Sequence, residues 1–514
     1  MNITTEKDYI VARFEFNKEK ISIAKAAGMR WSSFKHHWFM LNTVENQIRL
    51  GKVLTPDQPS SYQDYIPSEY LMAHQKAGVE LAKSRPRHLF ALDTGCGKTL
   101  TAIEIIRMKK FKTLVICPLA IIQAAWFEDL NKFAPELSKT NLWQLWRTTK
   151  SGNMGQYVDG LKADVCIINF EGFKAQQELL QKSGFRMVII DESSKVKSTK
   201  AQVTKDITKF CQNVESVYLL SGTPAPNSLM EYYTQIRIID PMLLGSSWYR
   251  FRANYFYEAG FKWHPFPEKV PELLNKIASA STAVRKEDVL DLPERTFNVR
   301  DVSLSPAETS AYNEMLKNMI LAIANNETIT AANAAVKIMK LRQVTAGFMI
   351  DEDGGIHEFG HSKENALGDL LEEIGPTHQV IIWTQFQYEA RQIKKLLGDK
   401  AEIVNGTVSQ ADKEIFVERF KSGKLPYLVA HPRSLGHGVT LTNCSYAIYY
   451  SIDYSYEAYY QSCDRIYRYG QTNKCTYYHL LAPGTIDVVV HKALGKKGTM
   501  ERAVVDYIKN GGEL

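Results

Sequence analysis

Along most of the chain the apolar residues come in short unbroken runs, bounded by turn or polar residues, instead of alternating with polar ones. Such runs, separated by helical patterns, predict strands buried on both faces of a parallel sheet. They form two series. The first is HLFALD (88–93), TLVICP (113–118), DVCIINF (164–170), MVIIDE (187–192) and SVYLLSG (216–222), with helices such as Leu100–Lys109 and Ile121–Phe133 between them. The second is VIIWTQF (380–386), AEIVNG (401–406), YLVAHP (427–432), YAIYYS (446–451) and CTYYHLL (475–481). Two α/β lobes are expected.

The stretch 241–350 breaks this rhythm. It is aromatic-rich at first (WYRFRANYFYEAGFKWHPF) and then helical, with the alanine-rich run Glu314–Val344, and reads as helical protrusions and a linker. Residues 1–60 read as a small α+β unit: Ile10, Ala12, Phe14 and Phe16 alternate onto one face, a helix ends near Gly28, and Thr55, Pro56 and Pro59 close it. The expected divisions are therefore 1–60, 61–240, 241–350 and 351–514. No short-period repeat or low-complexity tract is visible.

Composition narrows the class. A chain of 514 residues exceeds one ordinary core, and 45% apolar content excludes a disordered chain. The charge of +7, from 63 basic and 56 acidic residues, admits a polyanionic partner without demanding one. The seven cysteines are scattered, with no C-x-x-C pair and no histidine cluster at metal-ligand spacing, so reduced thiols in a cytosolic compartment are expected. The N-terminus lacks an apolar stretch behind a basic cap. No uncharged run approaches the roughly 20 residues a bilayer requires, so neither secretion nor membrane insertion is expected.

The strongest local signal is LDTGCGKTLTAIEII, a buried strand running through Thr94, Gly95, Cys96, Gly97, Lys98 and Thr99 directly into a helix. Glycines let backbone N–H groups close around phosphates, the helix N-terminus adds its positive end, Lys98 reaches the β- and γ-phosphates, and Thr99 ligates Mg²⁺. The first glycine of the full phosphate-loop pattern is replaced by Leu92. In MVIIDESSKVKS an apolar strand delivers Asp191 and Glu192 to its carboxyl end, where open α/β sheets bind ligands. Asp191 is the expected Mg²⁺ holder, and Glu192 the base that orients and deprotonates the attacking water. The expected cofactors are ATP and Mg²⁺.

With these motifs in order, residues 66–495 resemble superfamily 2 helicases, specifically SWI/SNF-type duplex DNA translocases of a prokaryotic or viral branch. YLMAHQKAGVELA resembles the glutamine motif, which implies adenine recognition by Gln75. LVICPLAIIQAAWFEDLNKFAP, VCIINFEGF and YLLSGTPAPNSLMEYYTQIRIIDP resemble motifs Ia, Ib and III, the last implying coupling through Ser221, Gly222 and Thr223. VIIWTQF, LVAHPRSLGHGVTLTNCSYAIYYS and YYQSCDRIYRYGQ resemble motifs IV, V and VI. The resemblance implies two RecA-like lobes, arginine fingers at Arg465 and Arg468, and nucleotide contacts by Gly438 and Gln461. TAVRKEDVLDLPERT resembles a segment of SWI/SNF-type proteins that helicases in general lack. Motif II reads DESS where many relatives have histidine fourth, which puts coupling through Ser194 in question.

The resemblance also places Pro118, Asn169, Thr384, Gln385, Gly406 and Ser434 along a DNA backbone, where contacts position without reading sequence. Taken singly, each could equally be a strand-end residue with a structural job. The basic stretch RMKKFK (107–112) reads more simply as a solvated helix end. The N-terminal segment, with Trp31 and Trp38 among Arg30, Lys35, His36 and His37, resembles over this short stretch the HARP domain of annealing helicases. Aromatics beside cations can stack on exposed bases, or the two tryptophans can be core. The resulting expectation is an ATP-dependent duplex DNA translocase that remodels or anneals forks and junctions. Its partners would be double-stranded or branched DNA, with single-stranded DNA a further candidate, in the cytoplasm, either nucleoid-associated or in a virus-infected host. A strand-separating helicase, or an ATP-gated nucleic-acid-binding switch acting on RNA polymerase or a nuclease, would share the same motifs.

Overall fold

The computed structural model describes all residues except 1, 7–8, 14–19, 22–23, 26, 33–35, 42–61, 63, 150–153, 260–261, 325–330, 436–438 and 510–514. The chain divides into two compact units, Met1–Arg285 with Val504–Leu514, and Lys286–Ala503.

The first unit is built on a seven-stranded sheet. Its order is Ser281–Val284, Arg87–Leu92, Ser216–Leu220, Met187–Asp191, Thr113–Cys117, Val165–Asn169, Lys139–Asn141, and every pairing is parallel. Four of these strands are buried at every residue, which is why they read as unbroken apolar runs. Three strands that are neighbours in the sheet, ending at Leu92, Leu220 and Asp191, bring their carboxyl ends side by side; Leu220 pairs with both Phe90 and Asp191.

A separate four-stranded antiparallel sheet near the N-terminus has the order Asn2–Glu6, Tyr9–Arg13, His37–Leu41, Arg30–Ser32. Its small core is Ile10, Ala12, Ala24, Ala27, Met29 and Met40. Val11 is buried as well, so this strand is covered on both faces and not only on the one that Ile10 and Ala12 share. Phe14, Phe16 and the turn at 55–59 lie outside the described residues. Gly28 takes φ 80° at the end of the preceding helical turns, as a helix terminus requires.

The second unit carries a six-stranded, all-parallel sheet in the order Arg295–Asp301, Cys475–Leu481, Tyr446–Tyr449, Val380–Trp383, Tyr427–Ala430, Ala401–Val404. One face packs against a core around Trp383, Phe420, Tyr449 and Tyr477, the other against one around Leu367, Ile382, Ile393 and Ile448.

The divisions differ from the expected ones. The span 241–350 is not a linker throughout, because Ser281–Val284 is the edge strand of the first sheet and Arg295–Asp301 the edge strand of the second. The units meet in sequence at Arg285 and Lys286. Edge strands of small or half-exposed residues do not show the continuous apolar run on which the expectation rested. The protrusions are an antiparallel hairpin, Phe256–Ala259 with Lys262–Pro265, and, in the second unit, the helices Pro306–Ala324 and Ala331–Thr345, which meet through Tyr312, Leu341 and Val344.

Candidate functional site

The phosphate loop leaves the strand Arg87–Leu92 and turns into the helix Lys98–Lys109. Gly95 and Gly97 take φ 85° and 73°, a region that side chains resist. Gly97 is constrained a second way, since a Cβ there would stand 1.9 Å from Gln75 Nε2. No side chain caps this helix, so its first N–H groups, already backed by the helix dipole, face the loop. Lys98 Nζ donates to Leu92 O at 3.1 Å and Asp93 O at 3.5 Å. Gln75 is buried beside the loop, accepting from Met72 N–H at 2.7 Å, with Nε2 3.4 Å from Gly97 O. His74 Nε2–H donates to Cys96 O at 2.8 Å, a contact the sequence did not suggest.

Asp191 ends the neighbouring buried strand. Its Oδ2 accepts from the indole Nε1–H of Trp126 at 3.0 Å and its Oδ1 from the Glu192 N–H at 2.9 Å. Burial pushes this carboxyl up to about 6; the Glu192 charge adds to the rise, and Lys98 opposes it. A cation placed here would offset that desolvation, and the donors within the motif, the Asp191 carboxylate and the Thr99 hydroxyl, are hard oxygens of the kind Mg²⁺ takes. The residues therefore fit the ion. Glu192 adopts φ 55°, ψ 56°, an unusual backbone for a non-glycine residue and one that clusters at functional turns.

The third strand leads into Ser221, Gly222 and Thr223. A Cβ at Gly222 would lie 3.1 Å from Thr94 Cγ2 and 3.4 Å from Lys98 Nζ, so this loop abuts the phosphate loop. Thr223 N–H donates to Ser221 Oγ at 3.2 Å. In the first unit the structure thus gathers Gln75, Thr94 to Thr99, Asp191, Glu192 and Ser221 to Thr223 at the ends of three adjacent strands.

In the second unit Arg465 and Arg468 turn onto the same motif V segment. Arg465 Nη1 donates to Val439 O at 3.3 Å, and Arg468 Nη1 to Thr440 Oγ1 at 3.1 Å. Leu441 N–H donates to Arg465 O at 2.8 Å. Asp464, one residue before the first arginine, forms a buried ion pair with Lys286, whose ammonium also lies 5.4 Å from the Tyr460 ring centroid. Gln471 Nε2 closes the far side by donating to Cys444 O at 2.9 Å and Ile466 O at 3.0 Å. Gln461 is half-buried on the helix Tyr456–Cys463. Gly438 lies outside the described residues.

The expected DNA contacts divide by availability. Asn169 is spent as a helix cap, its Oδ1 accepting from Gly172 N–H at 3.0 Å and its Nδ2 donating to Glu171 at 2.8 Å. Thr384 is buried. Gly406 faces open space, and Pro118, Gln385 and Ser434 are partly exposed at strand or turn ends. Trp31 and Trp38 are cross-strand partners with ring centroids 5.7 Å apart; Trp38 packs against the small core, while Trp31 is 50% exposed. The RMKKFK stretch is no free basic patch, since Arg107 pairs with Glu104 and Glu136, Lys109 lies over the Tyr62 ring, and Lys112 donates to Ser183 O.

Sequence reasoning missed Trp126, Lys286 and Gln471 as parts of the sites. Trp126 lies within a π-helical turn, Ile122–Phe127, a feature that recurs at functional sites but has no simple sequence signature. All seven cysteines are buried and free of disulfides. Among the described residues no cluster of metal-ligating side chains is present and no helix is long and apolar enough to cross a membrane.

Residues 74–347 match the SNF2-related domain and residues 362–470 the helicase conserved C-terminal domain. An uncharacterized ATP-dependent helicase of Mycoplasma genitalium is 24% identical over 496 residues, 90% of this chain and 46% of that protein. Putative protein p41 of Acyrthosiphon pisum secondary endosymbiont phage 1 is 25% identical over 447 residues, 81% of this chain and 93% of that protein. The chain spans less than half the length of the Mycoplasma helicases it matches. Among solved structures, a Sulfolobus solfataricus SWI2/SNF2 ATPase core in complex with dsDNA covers 87% of this chain and 94% of its own at 21% identity, with a TM-score of 0.40.

Proposed function

Because the chain belongs to the SNF2-related family of helicase-like ATPases, we propose that it is an ATP-driven translocase on duplex DNA that remodels or anneals forks and junctions. The observation that carries the motor reading is the convergence of Lys98, Asp191 and Gly222 at the carboxyl ends of three adjacent strands. The fork and junction part draws on the N-terminal sheet, which holds Trp31 exposed beside Trp38, an aromatic surface of the kind that stacks on unpaired bases.

In this reading the phosphate-loop N–H groups and Lys98 hold the β- and γ-phosphates, and Gln75 reads the adenine edge. Thr99 and Asp191 would hold Mg²⁺, which when bound neutralises charge on the phosphates. Trp126 keeps the Asp191 carboxylate in one orientation. Glu192, held at the strand end in a left-handed backbone conformation, takes a proton from the attacking water. Arg465 and Arg468 act as arginine fingers on the transferred phosphate, while Gly438 and Gln461 complete the nucleotide contacts. Pro118, Gln385, Gly406 and Ser434 remain available for phosphate backbone contacts that position without reading sequence; Asn169 and Thr384 support those loops from within.

The test is the steady-state ATPase rate with single-stranded, blunt duplex, forked and four-way DNA at fixed salt, because phosphate binding varies steeply with salt. Stimulation by duplex DNA, and more by forked or four-way DNA, is expected. Absence of any DNA stimulation would point instead to an ATP-gated switch, and strand displacement from forked substrates to a strand-separating helicase.

A further inference from the structure

Motif II continues past Glu192 into a short turn, Ser193–Val196, and the helix Tyr232–Ile239 grips that turn from two consecutive positions. Thr234 Oγ1 donates to Val196 O at 2.6 Å, and Gln235 Oε1 accepts from Ser193 Oγ at 2.7 Å. The other end of the Gln235 amide faces the opposite way, Nε2 donating to Pro224 O at 2.7 Å and to Glu231 O at 3.0 Å. Ser193 and Gln235 are both wholly buried. One side chain therefore joins the residue after Glu192 to the residue after Thr223.

Pro224 belongs to the loop whose Gly222 abuts Lys98. Glu192, Ser193, Gln235, Pro224, Thr223 and Gly222 thus form a continuous chain of covalent and hydrogen bonds, and Gly222 lies beside Lys98. Only a side chain with an acceptor and a donor on the same planar group can make both bonds. A glutamate here could accept from Ser193 but not donate to Pro224 O, and a leucine could do neither.

We propose that Gln235 is a positioning residue for hydrolysis, which fixes the Glu192 turn relative to the Ser221–Pro224 loop and so links motif II to motif III. The inference rests on the ATPase reading and on Glu192 as the base. Because the amide lies behind the catalytic turn and not in it, its loss is expected to lower kcat while leaving the grip on nucleotide intact.

The experiment compares Gln235→Leu, Ser193→Ala, the double variant and Ser193→Thr with the wild type. It measures kcat and KM for ATP at saturating duplex DNA, the stoichiometry and affinity of a fluorescent ADP analogue, and melting temperature. Each of the first three is expected to lose about 10-fold or more in kcat, on the scale of a mispositioned catalytic group, with KM and ADP stoichiometry within about 2-fold of wild type. The double variant should be no slower than the worse single variant, since both break one relay, and Ser193→Thr, which keeps the hydroxyl, should retain most of the rate. A purely structural role predicts lower melting temperature and ADP stoichiometry with unchanged kcat per bound nucleotide, and that result overturns the proposal. So does additive loss in the double variant. Failure of the wild type to hydrolyse ATP under any condition sinks the ATPase reading itself, a result distinct from a wild type and variants that turn over equally.

Discussion

The indole Nε1–H of Trp126 donates to Asp191 Oδ2 across 3.0 Å, and both residues are buried. The bond opposes the rise that burial imposes on the Asp191 carboxyl, and so keeps available the charge that a bound Mg²⁺ would need. Trp126→Phe keeps an aromatic ring in the cavity and removes the donor. A hydrogen bond to a charged group contributes about 1.5–3 kcal/mol, so the Mg²⁺ concentration for half-maximal ATPase should rise roughly 10- to 100-fold. Metal-free nucleotide binding should be unchanged. A magnesium titration that overlays the wild type would remove Trp126 from the site.

Glu192→Gln should lower turnover by about 10²- to 10⁴-fold, the usual range for a general base, while ATP remains bound. Lys98→Ala should abolish turnover and weaken nucleotide binding as well, because in the proposed reading Lys98 holds phosphate already in the ground state. Single-turnover hydrolysis beside equilibrium binding separates the two variants. Near-wild-type hydrolysis by the Glu192→Gln protein would exclude this carboxylate as the base.

Arg465→Ala should cost about 10³-fold or more in kcat, the scale of an arginine finger, with nucleotide affinity nearly unchanged. The guanidinium also holds Val439 O, so Arg465→Lys serves as the control for the loop. A lysine keeps charge but cannot reproduce the planar fork, and should restore melting temperature more than rate. Recovery of full rate by the lysine variant would argue that the residue is structural.

How much of this was legible beforehand depends on how far apart the partners lie in sequence. The buried strands ending at Leu92, Asp191 and Leu220 announce themselves because both faces are covered and each carries an unbroken apolar run. The phosphate loop, Asp191 and Glu192 follow from local pattern. The edge strands Ser281–Val284 and Arg295–Asp301 do not, since their register comes from neighbours that are remote in the chain. Trp126 reads as an ordinary apolar helix position, and only a carboxylate 65 residues away gives it a role. Asn169 shows the converse: a polar strand-end residue fits a DNA contact or a helix cap equally in sequence, and hydrogen-bond geometry shows the cap.

The ion pair of Lys286 and Asp464 yields a prediction about the arginine loop. Both side chains are almost fully excluded from water. Removing one member of such a pair leaves the other charge buried alone, which costs about 3–5 kcal/mol, whereas replacing both with apolar groups of similar volume can be nearly neutral. Lys286→Met should therefore destabilise the second unit strongly and lower kcat through the adjoining Arg465. The Lys286→Met, Asp464→Leu double variant should recover much of the stability. Urea unfolding of the single and double variants reads this directly; additive losses would show that the pair is not the link.

His479 sets the expected response to acid. It is wholly buried, with Nε2 3.0 Å from Tyr459 OH, its ring stacked on Tyr449 at 4.8 Å and facing His491 at 4.9 Å. Burial lowers its pKa to about 3, with His491 adding to the fall. A histidine held neutral in the fold contributes stability that is fully present above the unfolded pKa of about 6.5 and lost as pH falls from there towards 3, because unfolding then takes up a proton. Between about pH 7.5 and pH 5 the loss from this one group is about 2 kcal/mol. His88 behaves in the same way in the first unit, also lowered to about 3 by burial, so a whole-chain melting curve mixes the two. Hydrogen exchange followed on peptides of the second unit separates His479 from His88; His431 and His491, also lowered by burial, lie in the same unit and are common to wild type and variant. His479→Phe keeps the stack and removes the titration; it should be less stable at pH 7.5, where the Tyr459 bond is lost, yet decline less steeply on acidification. An equal decline in wild type and variant would assign the acid sensitivity of that unit to other groups.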